Sequence, residues 1–311
     1  MNAPMTQVLS PPRGMRQYSF RQKFREKLIQ LALGACGYLA FLLIGLIFFF
    51  LFKEGIHALA AIEPSQWLGK TWQPVSVTPK YSLLPLLNGT LLVALPATLL
   101  SAVIGIACGI YLAELASPRV RELLKPAIEL LAGIPTVVLG FLSLTLIAGL
   151  VQKLFGTTFR LNAFVGALGV SLVIIPMIAS LTEDALRAVP GELREASYGL
   201  GATRWETLSR VVFPAGISGI TAAILLGLGR ALGETMIVLM ATGNAALLTT
   251  DIFSSVRTMT ATIASELGAV AQGSEAYYAL FFVGAVLFSL TFLINLVSEL
   301  VIERMRRKLK L

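Results

Sequence analysis

The sequence predicts an all-α integral membrane protein with six transmembrane helices, and three observations support this fold class. Of the 311 residues, 56% are hydrophobic and only 14% are charged. A soluble globule carries about a quarter charged residues, so this chain is too apolar to be one. Six apolar runs are long enough to cross a bilayer, and the basic residues are concentrated in alternate connecting segments.

A helix needs about 20 predominantly apolar residues to cross the hydrocarbon core. The runs of this kind lie near residues 28–52, 86–113, 127–151, 161–181, 215–241 and 277–301. The first run resembles a secretory signal, but its apolar part is about twice the usual length. No small-residue cleavage site follows it cleanly, so we predict an uncleaved first helix.

Lysine and arginine positions predict the orientation. If both termini are cytoplasmic, 18 of the 25 basic residues fall in inside segments and six in outside segments, and Arg230 lies within a span. We therefore predict a multi-pass protein with both termini cytoplasmic. The net charge of +8 is then a topology signal, and we expect membrane lipid around the chain and no nucleic-acid partner.

These spans divide the chain into segments. The predicted segments are a cytoplasmic tail (1–27), a first transmembrane helix (28–52), a periplasmic segment (53–82), a core (83–301) and a basic cytoplasmic tail (302–311). Prolines 64, 74 and 79 argue against one continuous helix in the periplasmic segment. Trp67 and Trp72 are expected at the membrane interface.

Three prolines lie within predicted spans, at Pro96, Pro135 and Pro176. Proline frees backbone groups and kinks a membrane helix. The stretch "AGIPTVVLG" around Pro135 is the expected position of a break.

The stretch "VPGELREASYGLGATRWETLSRVVFP", residues 189–214, lies between the fourth and fifth spans. It predicts two short helices around a glycine turn. Gly199 and Gly201 permit the backbone angles that end the first helix. Thr203 and Glu206 have the spacing of a capping box that opens the second.

The second helix of this loop places Trp205, Leu208 and Val212 on one face. Two interpretations of that face remain open. An aromatic residue on a loop helix suits a groove in a partner protein. An amphipathic helix lying on the bilayer has the same pattern.

The apolar stretch "GLGRALGETMIVLM" carries a charge pair, Arg230 and Glu234. An arginine in mid-span costs about 2.5 to 3.5 kcal/mol on insertion scales, so it should face protein or water and have a partner. Glu234 lies one helical turn further on and is the expected partner. Gly229 and Gly233 form a small-residue pair that would let a neighbouring helix approach closely.

This charge pair has two possible roles. It could be an interhelical ion pair that fixes packing. Alternatively, the guanidinium of Arg230 could bind a passing oxyanion, whose geometry its planar fork matches, while Glu234 holds the rotamer. Thr235 and Asn244 are neutral donors nearby, and Thr235 is included with Arg230 and Glu234 in the candidate substrate pathway.

Several motifs of catalysis are absent from the sequence. There is no G-x-x-x-x-G-K-[ST] motif for ATP, and no His, Cys or Asp cluster has metal-ligand spacing. The single histidine, His57, offers no Ser-His-Asp set, and Cys36 and Cys108 lie in apolar runs. We expect a chain that is not an enzyme, binds no cofactor and is energised by another polypeptide.

The loop stretch "EASYGLGATRWETLSRVVFP" resembles the cytoplasmic loop of ATP-binding-cassette (ABC) importer permeases. That family pattern is Glu-Ala-Ala, three residues, Gly, nine residues, then Ile-x-Leu-Pro. The positions that match it are Glu195, Ala196, Gly201 and Pro214. The positions that depart from it conservatively are Ser197, Val211 and Phe213.

This resemblance implies a type I ABC importer permease fold over residues 83–301. It implies that such loops form coupling helices that dock into clefts of separate ATPase subunits, one loop to one cleft, and that the two ATPase subunits bind the ATP and magnesium. The residues expected to couple this chain to the ATPase are Glu195, Ala196, Gly201, Trp205 and Pro214.

A second resemblance narrows the substrate. The stretch "GRALGETMIVLMATGN", residues 229–244, is similar to the fifth-span motif of phosphate-specific transport permeases, and nearer to their C-type than to their A-type subunit. "TWQPV" and "YSLLPLLNGTLLVALPAT" also resemble the C-type subunit. This resemblance implies inorganic phosphate as substrate, a heterodimer with an A-type permease, a periplasmic phosphate-binding protein and a place in the bacterial inner membrane.

Two alternatives remain from the sequence. One is an ABC permease for sulfate, molybdate or phosphonate. The other is a secondary transporter or channel that uses Arg230 and Glu234 without any ATPase.

Overall fold

A computed structural model describes residues 20–309 of the chain, without the side chains of residues 20–23, 306, 308 and 309. The described part is mostly helical. Its helices are α1 (Phe20–Ala61), α2 (Pro64–Trp67), α3 (Leu83–Ile110), α4 (Pro118–Ala132), α5 (Thr136–Leu142), α6 (Ala148–Phe155), α7 (Ala163–Arg187), α8 (Gly191–Gly199), α9 (Arg204–Thr207), α10 (Phe213–Leu232), α11 (Met236–Ala241), α12 (Met259–Glu266) and α13 (Glu275–Leu309). Its strands are β1 (Trp72–Gln73) and β2 (Lys80–Tyr81), paired antiparallel.

Three π-helical turns extend or join these helices. They are Tyr111–Leu115 after α3, Ser143–Ile147 between α5 and α6, and Leu208–Val212 between α9 and α10. Within the described residues, six continuous helical stretches are long and apolar enough to cross a membrane. They are Phe24–Ala61, Leu83–Leu115, Thr136–Phe155, Ala163–Arg187, Arg204–Leu232 and Glu275–Met305.

The first unit of the structure ends at Phe50, and its described part is the beginning of α1. The side chains of residues 24–50 are exposed, and most of them are apolar. A helix that is apolar all round suits surrounding lipid. The predicted first transmembrane helix, 28–52, lies inside α1, which extends beyond it at both ends.

The second unit begins at Leu51 and is built around α3, α7 and α10. Helices α3 and α7 approach closely because Gly105 and Gly109 lie at their interface. A Cβ on Gly105 would lie 2.9 Å from side-chain atoms of Ile178, and one on Gly109 would lie 2.6 Å from Cβ of Thr182. Small residues at this spacing let membrane helices pack backbone against backbone.

The predicted periplasmic segment 53–82 is partly helical. Helix α1 continues to Ala61, and the proline-rich remainder forms α2 and the two strands. Trp67 and Trp72, which we expected at the membrane interface, are buried with exposures of 7% and 2%. Both belong to a hydrophobic cluster with residues of α13, so protein packing sequesters them.

The third predicted span, 127–151, is interrupted at the expected place. Helix α4 ends at Ala132 and α5 begins at Thr136, and Pro135 lies between them. Proline disfavours helical angles in the residue before it. Pro96 and Pro176, by contrast, lie inside continuous helices. Helix α4 is therefore separate from the third span and, with no fully buried residue, lies on the surface.

The second unit has two ends that matter for function. We call the end that holds α4, α8 and α9 the loop end. We call the end that holds β1, β2 and residues 242–258 the strand end. At the strand end, the N–H of Ala163 donates to the carbonyl of Ser254, and the N–H of Trp72 donates to that of Ala246.

Candidate functional site

The charged pair lies at a break in the fifth span. Helix α10 ends at Leu232, Glu234 and Thr235 are not helical, and α11 begins at Met236. The predicted helix 215–241 is therefore not continuous. In a continuous helix, the Glu234 carbonyl would accept a backbone N–H from one turn further on. Here it accepts a hydrogen bond of 2.7 Å from Thr260 Oγ1 instead.

The two charged groups differ in how they are held. Glu234 is 3% exposed, and its Oε1 accepts the backbone N–H groups of Thr235, Met236 and Ile237 at 3.0, 3.1 and 3.4 Å. Its Oε2 lies 3.3 Å from Nη1 of Arg230, whose side chain is 43% exposed. The carboxylate therefore caps the start of α11, a role that the sequence analysis missed. The Arg230 side chain is half exposed beside it.

Thr235 lies next to the charged pair in the chain and faces a different space. Its Oγ1 donates to the carbonyl of Gly233 at 3.3 Å. It lines a mostly apolar cavity of about 480 Å³, together with Gly233, Thr260 and Thr291. Arg230 is not among the residues that line this cavity. The structure thus brings Arg230 and Glu234 together and leaves Thr235 on another surface.

The structure also shows the surroundings of Gly229, Gly233 and Asn244, the other residues that the sequence singles out near the charged pair. Gly229 faces α13, where an added Cβ would lie 3.3 Å from Oδ1 of Asn295, whereas Gly233 would meet only backbone atoms of its own turn. Close approach of α13 is therefore seen at Gly229 and not at Gly233. Asn244 lies beyond the far end of α11 and donates through Nδ2 to the carbonyl of Leu239 at 2.6 Å.

The loop 189–214 has the predicted glycine turn and capping box. Helix α8 ends at Gly199, and Gly201 has a φ of +84°, in the left-handed region that favours glycine. Thr203 accepts from the N–H of Glu206, whose carboxylate accepts from the N–H of Thr203. Both local predictions are confirmed.

The predicted second loop helix differs from the structure in one respect. Helix α9 continues through a π-helical turn into α10, so Arg204–Leu232 is one continuous helix. Leu208 and Val212 are buried, whereas Trp205 is 68% exposed. Trp205 and Leu208 nevertheless line the same cleft, so the helix runs from an exposed tryptophan at the surface to leucine and valine side chains that are buried.

Trp205 belongs to an open surface. The predicted coupling residues are all exposed: Glu195, Ala196, Gly201, Trp205 and Pro214. Around them, Tyr198 and Leu200 are also exposed. A cleft of about 440 Å³ is lined by Trp205, Tyr198, Arg204, Leu208, Glu114 and Leu115. The loop end thus presents apolar side chains and a cleft on one surface.

A buried carboxylate joins α4 to α7 at the loop end. Glu183 is fully buried, and its Oε1 accepts from Nε of Arg121 at 2.7 Å. Nζ of Lys125 lies 3.2 Å from the other oxygen of Glu183 and 3.4 Å from Asp184. Burial by itself would lower the pKa of Lys125, but hydrogen bonds and ion pairs with Glu183 and Asp184 outweigh it and raise the pKa above its usual value.

Arg194 makes a second connection at the loop end. Its guanidinium donates to Glu114, at the end of the second span, to the carbonyl of Leu186 in the last turn of α7, and to the carbonyl of Val189 in the connection to α8. In the sequence, Arg121, Lys125 and Arg194 indicate only the topology. Their carboxylate partners are 62, 58 and 80 positions away in the chain, and no local pattern could have found them.

Comparison with known proteins gives a consistent set of relatives. Residues 105–307 match the family described as "Binding-protein-dependent transport system inner membrane component". The probable ABC transporter permease protein YqgH of Bacillus subtilis is 35% identical, over 78% of this chain and 79% of its own length. The phosphate transport system permease protein PstC of Mesorhizobium japonicum is 34% identical, over 87% and 88%. PstC of Haemophilus influenzae is 32% identical, over 94% and 97%.

Solved structures resemble the fold at low sequence identity. A bacterial ABC transporter involved in the import of alginate has a TM-score of 0.60 at 15% identity, and the match covers 91% of this chain and 98% of that one. The MetNI methionine ABC transporter, in an inward-facing conformation, has a TM-score of 0.56 at 18% identity, over 70% and 93%. These two matches concern the fold alone.

Proposed function

Because the chain belongs to the family of binding-protein-dependent transport system inner membrane components, we propose that it is the transmembrane permease of an ATP-driven phosphate importer. It is a multi-pass membrane protein with six candidate spans. The predicted all-α class and type I ABC importer permease fold are confirmed by the family match and by the structural neighbours.

The choice of phosphate rests on one observation. Relatives that match 87% and 94% of this chain, from two organisms, are named phosphate transport system permease proteins. The matches include the fifth-span stretch with Arg230. A guanidinium suits a phosphate oxyanion because its donors form a planar fork that can bind two oxygens at once.

The proposed chemistry of this chain is transport, and ATP hydrolysis belongs to partner subunits that hold ATP and magnesium. The exposed loop surface around Trp205 is the surface that we assign to the ATPase. One such loop serves one ATPase subunit. The assembly therefore needs a second permease, of the A type, two ATPase subunits and a periplasmic phosphate-binding protein.

Within the membrane, we assign Arg230 to the substrate pathway. Its side chain is half exposed, and Glu234 contacts it through one ion pair of 3.3 Å between Oε2 and Nη1. Glu234 is already committed to three backbone N–H groups, so its charge is shared between the helix start and the arginine. An anion that passes Arg230 would therefore meet an incompletely neutralised cation.

The orientation that we propose places the loop end and both termini in the cytoplasm. In a chain with Cys36 and Cys108 replaced, single cysteines at positions 203, 65 and 77 would report it. Thr203, Ser65 and Val77 are exposed, so labelling depends on the side of the membrane. We expect an impermeant maleimide added outside the cell membrane to label positions 65 and 77 and to spare 203. Labelling of position 203 from outside would overturn the orientation.

Uptake by intact cells tests the choice of phosphate. We expect deletion of this chain to abolish high-affinity uptake of radiolabelled phosphate and re-expression to restore it. Excess sulfate, molybdate or phosphonate should leave that uptake unchanged, because the pathway is assigned to phosphate. If the deletion strain loses sulfate or molybdate uptake and keeps phosphate uptake, the assignment of phosphate as substrate is wrong. The chain would still belong to the same permease family.

A further inference from the structure

Arg194 connects three segments at the loop end. It lies in α8, and its Nη1 donates to the carbonyl of Val189 at 2.6 Å. Its Nη2 donates to the carbonyl of Leu186 at 2.7 Å and to Oε1 of Glu114 at 2.8 Å. Leu186 is in the last turn of α7, Val189 is in the connection to α8, and Glu114 is beyond the end of α3.

The environment makes these bonds stronger than a surface ion pair. The side chains of Arg194 and Glu114 are 20% and 15% exposed. Exposed ion pairs contribute little because water and salt screen them, whereas partly desolvated, charge-assisted bonds are shorter and stronger. The fork geometry of arginine also lets one side chain serve three acceptors, which a lysine ammonium cannot reproduce in a plane.

Glu114 lies in the π-helical turn Tyr111–Leu115. Such turns are rare and are often found at functional sites. Glu114 lines the cleft beside Trp205 and also lines a larger cavity of about 820 Å³ on the α4 side, which Arg194 lines as well. Glu114 is therefore shared by the cleft of the proposed ATPase surface and the cavity on the α4 side.

Arg194 and its neighbour Glu195 face in different directions. Glu195, next in the chain, is exposed and belongs to the proposed docking surface. Arg194 faces the opposite way, into the membrane helices, through its bonds to α7 and to the turn after α3. Arg194 therefore links α8 to the ends of two spans.

We propose that Arg194 is a positioning residue that transmits movement of the coupling loop to the second and fourth spans, through Glu114 and the end of α7. This inference rests on the proposed function, since it requires an ATPase on the loop. It concerns residues outside the matched loop pattern. Loss of the bridge should leave ATPase docking intact and uncouple hydrolysis from transport.

The experiment uses the complete transporter purified through a tag on this chain and reconstituted into vesicles. For each variant, phosphate uptake and ATP hydrolysis are measured on equal amounts of assembled complex. The ratio of phosphate moved to ATP hydrolysed is compared with that of the wild type. A variant that merely destabilises the complex lowers both quantities together and leaves the ratio unchanged, so this ratio separates coupling from stability.

Two variants test the bridge from its two sides. Arg194→Ala removes all three bonds, and we expect the ratio to fall by about tenfold or more, because three hydrogen bonds from a charged group are lost together. Glu114→Gln keeps the shape and removes the charge, and a smaller fall, of a few fold, is expected. Arg307→Ala is the control, because Arg307 is exposed and pairs with Glu303 within α13. Its ratio should equal that of the wild type.

The ratios measured for the two variants support or overturn the coupling role of Arg194. Lower ratios in both bridge variants, with ATPase subunits still bound, support it, and wild-type ratios in both overturn it. If Arg194→Ala fails to assemble, the ratio of Glu114→Gln decides. If neither assembles, Arg194 is needed for assembly and the coupling role is wrong.

The same experiment separates this inference from the proposed function. A wild-type complex that hydrolyses ATP without moving phosphate contradicts the substrate assignment, and the ratio is then measured with the anion that the complex does move. A wild-type complex that moves phosphate while the bridge variants match it contradicts only the role of Arg194.

Discussion

We expect Gly201→Pro to abolish ATP-dependent uptake while the protein still reaches the membrane. Gly201 has a φ of +84°, and its N–H donates to the carbonyl of Tyr198 at 2.9 Å. Proline fixes φ near −65° and has no N–H, so the turn that carries the docking surface from α8 to α9 cannot form. Uptake is measured with the membrane level of the variant determined by immunoblot.

Two alanine variants provide a matched pair for this glycine turn. A Cβ added at Gly191 or at Gly201 would meet no atom within 4 Å, but only Gly201 has a positive φ. Gly201→Ala should therefore reduce uptake, because a left-handed alanine costs about 1 to 3 kcal/mol, whereas Gly191→Ala should not. Trp205→Glu should lose ATPase binding, since it places a charge at an exposed aromatic contact. Normal uptake and ATPase binding in Gly201→Pro would overturn the docking assignment.

The second large effect is expected at the charged pair in the fifth span. In the double variant Arg230→Gln with Glu234→Gln, the amide oxygen at position 234 can still accept the three backbone N–H groups that Glu234 accepts. The helix break should therefore persist and the complex should assemble. We expect phosphate uptake below about a tenth of the wild type, because the guanidinium that binds the anion is absent.

Single variants distinguish the two roles within this pair. Glu234→Ala leaves buried N–H groups without an acceptor, at about 1 to 3 kcal/mol for each group, so we expect less assembled protein. Arg230→Lys keeps the charge and loses the fork, and should transport poorly although it assembles normally. If the charge-free double variant transports phosphate well, Arg230 is a packing partner of Glu234 and has no place in the pathway.

Local features of this fold could be predicted from the sequence. The capping box of Thr203 and Glu206 was predictable because it depends on residues three apart. The break at Pro135 and the left-handed Gly201 depend on the chemistry of one residue each. Six spans were predictable because apolar length alone decides whether a helix can cross a bilayer.

The break at Glu234 was not predictable in the same way. Apolar residues continue on both sides of it, so the pattern reads as one helix. What stabilises the break is partly distant, because Thr260 satisfies the carbonyl of Glu234 from 26 positions further along the chain. The bridges of Glu183 and Arg194 join helices that only the folded bundle brings together. The burial of Trp72 likewise depends on packing against distant elements.

ATP-dependent phosphate uptake by the reconstituted complex tests the central claim most directly. Vesicles that contain this chain, its partner permease and the ATPase subunits are supplied with phosphate-loaded binding protein on one side and with ATP on the other. We predict that phosphate accumulates only when ATP, the ATPase subunits and the binding protein are all present. Phosphate flux through this chain without ATP or ATPase subunits would contradict the account, because it would identify a channel or secondary transporter.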